Sequence, residues 1–312
     1  MANSSSPPLA PKPAHRTALG LPLLLLAVLG TNWGFAFSLA KIGALGGFPP
    51  LSYSMWQSIG AGAILFAVSW LRGHLPPLTP PHLRFYAVSG LIGIAVPNVN
   101  IITVVAHLPV GVVTILVTLA PLATWGFARI AGHERPSARR GLGMAIGFIG
   151  ALLILLPRAS LPSPDMTSWV LAGLLTPLFY AIANVYVAAA RPANMHSLTL
   201  AAMMHFASAL ILLPTAVISG NFYLPWPPFA AADYAVMAHM VSASVGSLLF
   251  FEIIRLAGPV FLSQVAYIVT LTGLLWGIAL FGERHSEWIW AAMAVIFVGL
   301  ALVTKPERAA PR

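Results

Sequence analysis

Cysteine is absent from the 312-residue sequence, which excludes disulfides, thiolate metal sites and cysteine nucleophiles and leaves the redox compartment open. Charge is scarce as well: Asp, Glu, Lys and Arg make up 7% of the residues, where a soluble domain carries about a quarter. Acidic residues are the scarcest, 7 against 16 Lys plus Arg. What fills the chain is apolar, with 59% hydrophobic residues and a mean hydropathy of +0.88. Water is therefore not its main solvent. The 27 Pro and 26 Gly would signal disorder in a polar chain. Here many lie inside apolar runs, where they act as kinks and close-packing points between membrane helices.

Ten predominantly apolar stretches run near 18–40, 50–71, 84–106, 110–130, 140–157, 168–190, 196–218, 233–255, 260–281 and 288–304. Each suffices to cross about 30 Å of hydrocarbon. The connections are short and punctuated by Pro and Gly, leaving no room for a second domain. The expected fold class is all-α integral membrane. Its expected organisation is a disordered cytoplasmic tail (1–17), five helices (18–157), a periplasmic linker (158–167), five more helices (168–304) and a cytoplasmic tail (305–312). The first apolar run is too long for a cleaved signal, and Lys41 follows it in place of a small-residue cleavage site. With both termini in the cytoplasm, all Lys and Arg except Lys41, Arg158 and Arg284 fall on the cytoplasmic side. That is the positive-inside pattern. It accounts for the net charge of +9 without a nucleic-acid partner; the lipid bilayer is the expected surrounding.

A shift of 149 residues aligns Glu134-Arg135 with Glu283-Arg284, Ser137 with Ser286, Met144-Ala145 with Met293-Ala294, Phe148 with Phe297, Gly150 with Gly299 and Leu153 with Leu302. The same shift superposes the first five expected spans on the last five. Five is odd, so the two halves are expected to cross the membrane in opposite senses, as an inverted repeat. On these residues, together with Asn32-Trp33-Gly34-Phe35, Lys41, Pro121-Leu122 and the run from Gly258-Pro259-Val260-Phe261 to Trp276-Gly277, the chain resembles the drug/metabolite transporter superfamily, and within it the EamA-type ten-helix exporters. The resemblance covers about 18–304. It implies a central cavity lined mainly by the first, third, fourth, sixth, eighth and ninth helices and opening alternately to each side, with the fifth and tenth peripheral. It says little about the substrate.

Polar side chains at depth are expensive, so they mark either a cavity or interhelical hydrogen bonds. The candidates for substrate contact are Asn32, Trp33, Asn98, Asn100, Thr118, Tyr180, Asn184, Ser244, Gln264 and Tyr267. The alternative for the Asn residues is an interhelical clamp, and for the hydroxyl residues close packing. The aromatic residues can stack on a planar substrate or simply fill the core. Pro97 and Pro121 remove helical hydrogen bonds at depth, as does Pro177. With Lys41, the first two are candidate gate or cavity-mouth positions, and Lys41 can equally snorkel at the outer surface. The ionisable candidates for coupling are His205, the most central, and Glu252. His205 also suits a neutral packing role, and Glu252 a local pair with Arg255 at i, i+3.

The sequence contains no His-Glu-x-x-His, no Gly-x-Ser-x-Gly and no acidic metal-ligand cluster at helical spacing. This argues against an intramembrane enzyme and gives no reason to expect a cofactor. The expected function is export of a small metabolite, such as an amino acid, amphipathic metabolite or drug-like compound, across a bacterial plasma membrane, by a monomer or homodimer. A phosphate-ester or nucleotide-sugar antiporter is the second reading. It needs several fixed cations in the cavity, and only Lys41 is placed to serve. A non-transporting membrane scaffold or sensor is the third.

Overall fold

Apolar runs of this length form helices in hydrocarbon because only there does every backbone group find a partner within its own segment. The computed structural model describes residues 20–132, 137–155, 163, 165–193, 195–262 and 264–304, and among these no strand occurs. The expected tails 1–17 and 305–312, much of the linker 158–167 and the Glu134-Arg135 turn lie outside the described residues.

The chain runs through α1 (Gly20–Leu45), α2 (Pro50–Leu71), α3 (Pro80–Gly90), a π-helical turn (Leu91–Ala95), α4 (Val96–Val105), α5 (Val110–Val117), α6 (Ala120–Ile130) and α7 (Ala138–Leu155). It continues through α8 (Met166–Gly173), α9 (Leu175–Ala190), α10 (Ser197–Ile218), α11 (Ala231–Leu262), α12 (Val265–Phe281) and α13 (Glu287–Thr304). Among the described residues, eight segments are long and apolar enough to cross a membrane, and the apolar α12, at 17 residues, is shorter.

Three expected spans are interrupted, each next to a proline. A proline ring clashes with the carbonyl four residues back and leaves it without its usual donor. Ahead of Pro97 the backbone widens into the π-turn Leu91–Ala95, a rare geometry associated with functional positions. Ahead of Pro121 the helix breaks at Thr118–Leu119, and ahead of Pro177 it breaks at Leu174. Several boundaries differ from expectation: the first span runs on to Leu45 rather than 40, and the ninth helix starts at Val265 rather than 260. The third span starts at Pro80 rather than 84, because Pro80 and Pro81 suit the first helical positions, whose N–H groups have no intrahelical acceptor. The eighth continues to Leu262 rather than ending at 255.

Packing sets the layout. α1 lies between α11 and α12, α2 pairs with α10, α7 with α13, and α9 crosses α4 and α6. The closest approaches use glycine. Gly143 and Gly299 bring the α7 and α13 backbones together, and a Cβ at either would come within 2.7 Å of the other's carbonyl oxygen. The main apolar core joins Leu29 and Phe37 of α1, the α5 residues Val112 to Leu116, and Ile289 and Ile296 of α13.

Candidate functional site

Polar groups near the middle of the bundle meet around α4. Asn98 Nδ2 donates to Gln57 Oε1 on α2 at 3.0 Å, and Asn98 Oδ1 accepts from the Tyr180 hydroxyl on α9 at 3.5 Å. Two residues on, Asn100 Nδ2 donates to Thr176 Oγ1 at 2.8 Å and to the Ala172 carbonyl at 3.0 Å. That carbonyl lies at the α8–α9 break, where helical pairing is interrupted. Nearer the Arg191 end, Asn184 Nδ2 donates to Thr124 Oγ1 at 3.3 Å, and Asn184 is exposed. Thr176, Tyr180 and Asn184, spaced at i, i+4 and i+8 on α9, thus make one polar row, met by Asn100 and Asn98 of α4 and by Thr124 of α6. Thr118, at the helix break, donates to the Thr114 carbonyl, and its hydroxyl touches that of Thr270 on α12.

Other expected site residues lie elsewhere. Asn32 Nδ2 donates to the Ser242 carbonyl at 2.9 Å, clamping α1 to α11. Beside it the Trp33 indole packs on Gly246, where a Cβ would collide with it, and faces Phe250 at 6.0 Å. Ser244 bonds back to the Met240 carbonyl within α11. Gln264 stands at the start of α12. The Tyr267 hydroxyl reaches the Phe297 carbonyl on α13 at 3.4 Å, away from Asn98. His205 on α10 is buried against Gly62 of α2, its Nδ1 without a hydrogen-bond partner. Glu252 forms a local ion pair with Arg255 on an exposed face.

The strongest electrostatic feature sits at the Lys41 end. A left-handed Gly282 (φ 62°) closes α12, with Gly282 N donating to Ile278 O and Glu283 N to Gly277 O. This paired ending needs a residue free of Cβ strain at its left-handed position. It turns Glu283 back into the bundle, and Gly277 leaves the room its carboxylate occupies. There Glu283 Oε1 accepts from Lys41 Nζ at 2.7 Å and from the Val110 N–H at 2.7 Å, while Oε2 accepts from the Gly111 N–H at 3.3 Å. Val110 and Gly111 open α5, so the carboxylate caps a helix whose dipole favours negative charge there. Lys41 also donates to the Leu108 carbonyl at 3.1 Å and lies 5.0 Å from the Phe281 ring. The Lys41 and Glu283 side chains are only 13% and 6% exposed. His285 Nε2 approaches Glu283 Oε2 to 3.6 Å without a hydrogen bond. Burial, with Lys41 in support and Glu283 opposing, holds its imidazole below the ordinary value.

The opposite end carries a basic recess of about 230 Å³ lined by His74, His82, His196 and Thr199. His74 and His196 stack at 4.1 Å, and Arg191 donates to Met195 O and Ser197 Oγ at 2.9 Å. Partial burial, then His74, Arg72 and Arg191, keep His196 below its ordinary value. No group of three or more His, Asp or Glu suited to a metal occurs among the described residues.

Sequence reasoning missed Gln57 and His285, and assigned Glu283 no role beyond its turn. Gln57 is buried between Ser54 and Ser58 on α2, and this polar run inside an apolar span was the available signal. For Glu283 it was the Glu-Arg pair recurring at 134 and 283.

The comparisons bear on what such a bundle belongs to. A chain of 29% identity over 291 residues, covering 91% of both sequences, is the uncharacterized inner membrane transporter YedA of Escherichia coli K12. The same protein in E. coli O157:H7 matches equally. A solved crystal structure, described only as that of a protein, superposes with a TM-score of 0.61 at 19% identity, covering 92% of this chain and 96% of its own. That likeness is one of fold. The sequence pattern of the EamA-like transporter family matches twice, at residues 18–156 and 167–305. An all-helical apolar bundle with two such copies along it belongs to the EamA-like transporter family.

Proposed function

We propose that this chain is a secondary transporter of the bacterial inner membrane that exports a small amphipathic metabolite, an amino acid or a related compound, by alternating access. The observation that carries the reading is the contrast between its two ends. At the Lys41 end, Lys41, Glu283 and the α5 amides tie the first part of the chain to the second through a buried ion pair. Away from that seal, the polar row on α9 runs from Tyr180, which meets Asn98, to the exposed Asn184. A site closed on one side and approached from the other is what alternating access requires.

The proposal includes ten spans in two inverted halves of five, with both termini in the cytoplasm as the distribution of Lys and Arg favours. Contacts that exchange under the repeat support a two-fold relation between the halves, and the odd number of spans in each half favours its inversion. Gly143 packs on Gly299, and Gly150 packs on Ala292, a pair related to the first by the offset of 149. Within this reading Gln57, Asn98, Tyr180 and Asn184 contact the cargo, and Lys41 with Glu283 forms the periplasmic gate. A phosphate-ester cargo has less support, because Lys41 is already neutralised by Glu283.

The test is efflux from loaded proteoliposomes of amino acids, aromatic cations and phosphate esters, with and without a proton gradient. Flux of a neutral or zwitterionic amphipathic class is expected. Selective phosphate-ester exchange overturns the cargo assignment, and absence of flux across the panel from folded protein overturns transport.

A further inference from the structure

Four polar groups surround one carboxylate at the Lys41 end, and that carboxylate does not satisfy them all. Lys41 and the Val110 N–H each reach Glu283 at 2.7 Å, whereas the Gly111 N–H stands at 3.3 Å. The fourth, His285 Nε2, is 3.6 Å away with its side chain only 1% exposed and no hydrogen-bond partner. A nitrogen this deeply buried ordinarily has a partner. Here it is aimed at the carboxylate group and left short of it. The tether from Gly282 limits how far Glu283 can move to serve it, a limit that a free carboxylate in the same place would not have.

The donors divide between the two sides of the seal. Lys41, Val110 and Gly111 belong to α1 and α5, which pack on each other, and Lys41 is held there by the Leu108 carbonyl. Glu283 and His285 belong to the connection between α12 and α13. If that connection withdraws, an ammonium and two helix-terminal N–H groups remain beside Leu108 and the apolar Leu274 and Phe281. Uncompensated donors and charge in such surroundings are costly, and an entering anion relieves that cost. One cation and two adjacent amides fit the single charge and two oxygens of a carboxylate; a phosphate dianion brings a second charge and a third oxygen.

We propose that Lys41 and the Val110 and Gly111 amides form a carboxylate-binding cradle on the transport path, filled by Glu283 when this end is shut and by the cargo's carboxylate when it opens. The proposal rests on the transporter reading above. The two carboxylates compete, so reclosure by Glu283 displaces the cargo outward. His285, carried on the same connection, is the additional partner a cargo carboxylate meets as that connection returns and before Glu283 displaces it.

The test exploits the absence of native cysteine. A single reporter, Val113→Cys, lies at a position 2% exposed, one turn into α5 from Val110, and its labelling by an impermeant maleimide in proteoliposomes reads opening. Sodium acetate is the probe, with acetamide and sodium chloride as controls. In the reporter with wild-type Glu283, acetate is expected to speed labelling several-fold by competing with Glu283. With Glu283→Ala, labelling starts faster and acetate slows it saturably, because the free carboxylate fills the vacated place and lets the end close. Lys41→Ala abolishes both responses. Opposite signs in the two backgrounds separate the cradle from a general salt effect. No acetate response in the Glu283 background, or the same response without Lys41, overturns the proposal even if Glu283→Ala fails to fold. In the efflux assay, equal rates for carboxylate-bearing compounds and their amides overturn the assignment of the cradle to the cargo. Labelling needs no flux, so failure of the cradle and failure of the transporter reading are distinguishable.

Discussion

α5 and α6 are two parts of one interrupted span, yet the molecule treats them differently. Every α5 residue from Val110 to Leu116 is buried, while in α6 only Ala120 and Leu122 are. The difference lies in what each part meets. α5 starts at the Glu283 carboxylate and packs on α12, whereas α6 faces the exposed Asn184 across a single 3.3 Å hydrogen bond. The break at Thr118–Leu119 separates a sealed region from a loosely covered one. A buried ion pair is weak evidence for stability, since desolvation offsets its attraction. A seal that has to come apart again suits such a pair better than an apolar plug of the same volume.

The largest expected effect comes from removing the carboxylate. Glu283→Ala leaves Lys41 and two N–H groups buried without their acceptor, a kind of loss that costs about 3–5 kcal/mol. If half of that falls on the closed state alone, the closed-to-open ratio drops by more than about tenfold. Cysteine-reporter labelling at position 113 checks it; an unchanged rate sinks the gate. A sharper version is the charge exchange Lys41→Glu with Glu283→Lys. A simple ion pair would be restored by it. The seal is expected to stay broken, because the α5 amides require an acceptor at position 283.

The next effect belongs to the polar row. Asn98→Ala deletes the link between Gln57 and Tyr180, and flux is expected to fall by about tenfold, equivalent to about 1.4 kcal/mol. The yield and melting temperature of the folded protein should remain nearly unchanged. Parallel loss of folded protein and flux would make Asn98 a clamp between helices. Asn32→Ala is the contrasting case: its amide holds the Ser242 backbone carbonyl on α11, so a larger share of its effect should appear in stability.

These contrasts also mark what was legible in the sequence. Hydropathy located the apolar segments, since a bilayer demands long apolar helices whatever their tertiary partners. Pro97, Pro121 and Pro177 revealed where the backbone would break, because the ring's clash is local. The expense of polar groups at depth singled out Asn98, Asn100, Tyr180 and Asn184 among other candidates, but not which of them would meet. Partnership across the bundle was not legible. Tyr267 looked like Tyr180 in sequence but turns toward α13. Glu283 looked like a turn residue, because its role depends on a lysine 242 positions away.

A smaller effect concerns pH at the sealed end. Burial holds His285 below its ordinary value, so the unfolded or opened chain binds the proton more readily than the sealed one. Stability of the seal is therefore complete above about pH 6.5 and is lost as pH falls through that value toward the lowered one. Reporter labelling is expected to rise on acidification from neutrality, and His285→Asn to flatten the profile. A flat profile in the unsubstituted protein would mean that His285 is not linked to opening.

The smallest expected effect tests whether position rather than residue type makes the difference. Glu252 and Glu283 are both glutamates paired with a cation, but the Glu252–Arg255 side chains are 42% and 67% exposed. Water and salt already screen that pair, and both partners sit on one helix, so no movement between helices can make or break it. Glu252→Gln is expected to leave reporter labelling, flux and melting temperature unchanged within error, in contrast to any change at Glu283. A flux defect at Glu252 that persists at high salt would show that the loosely covered end has an electrostatic function of its own.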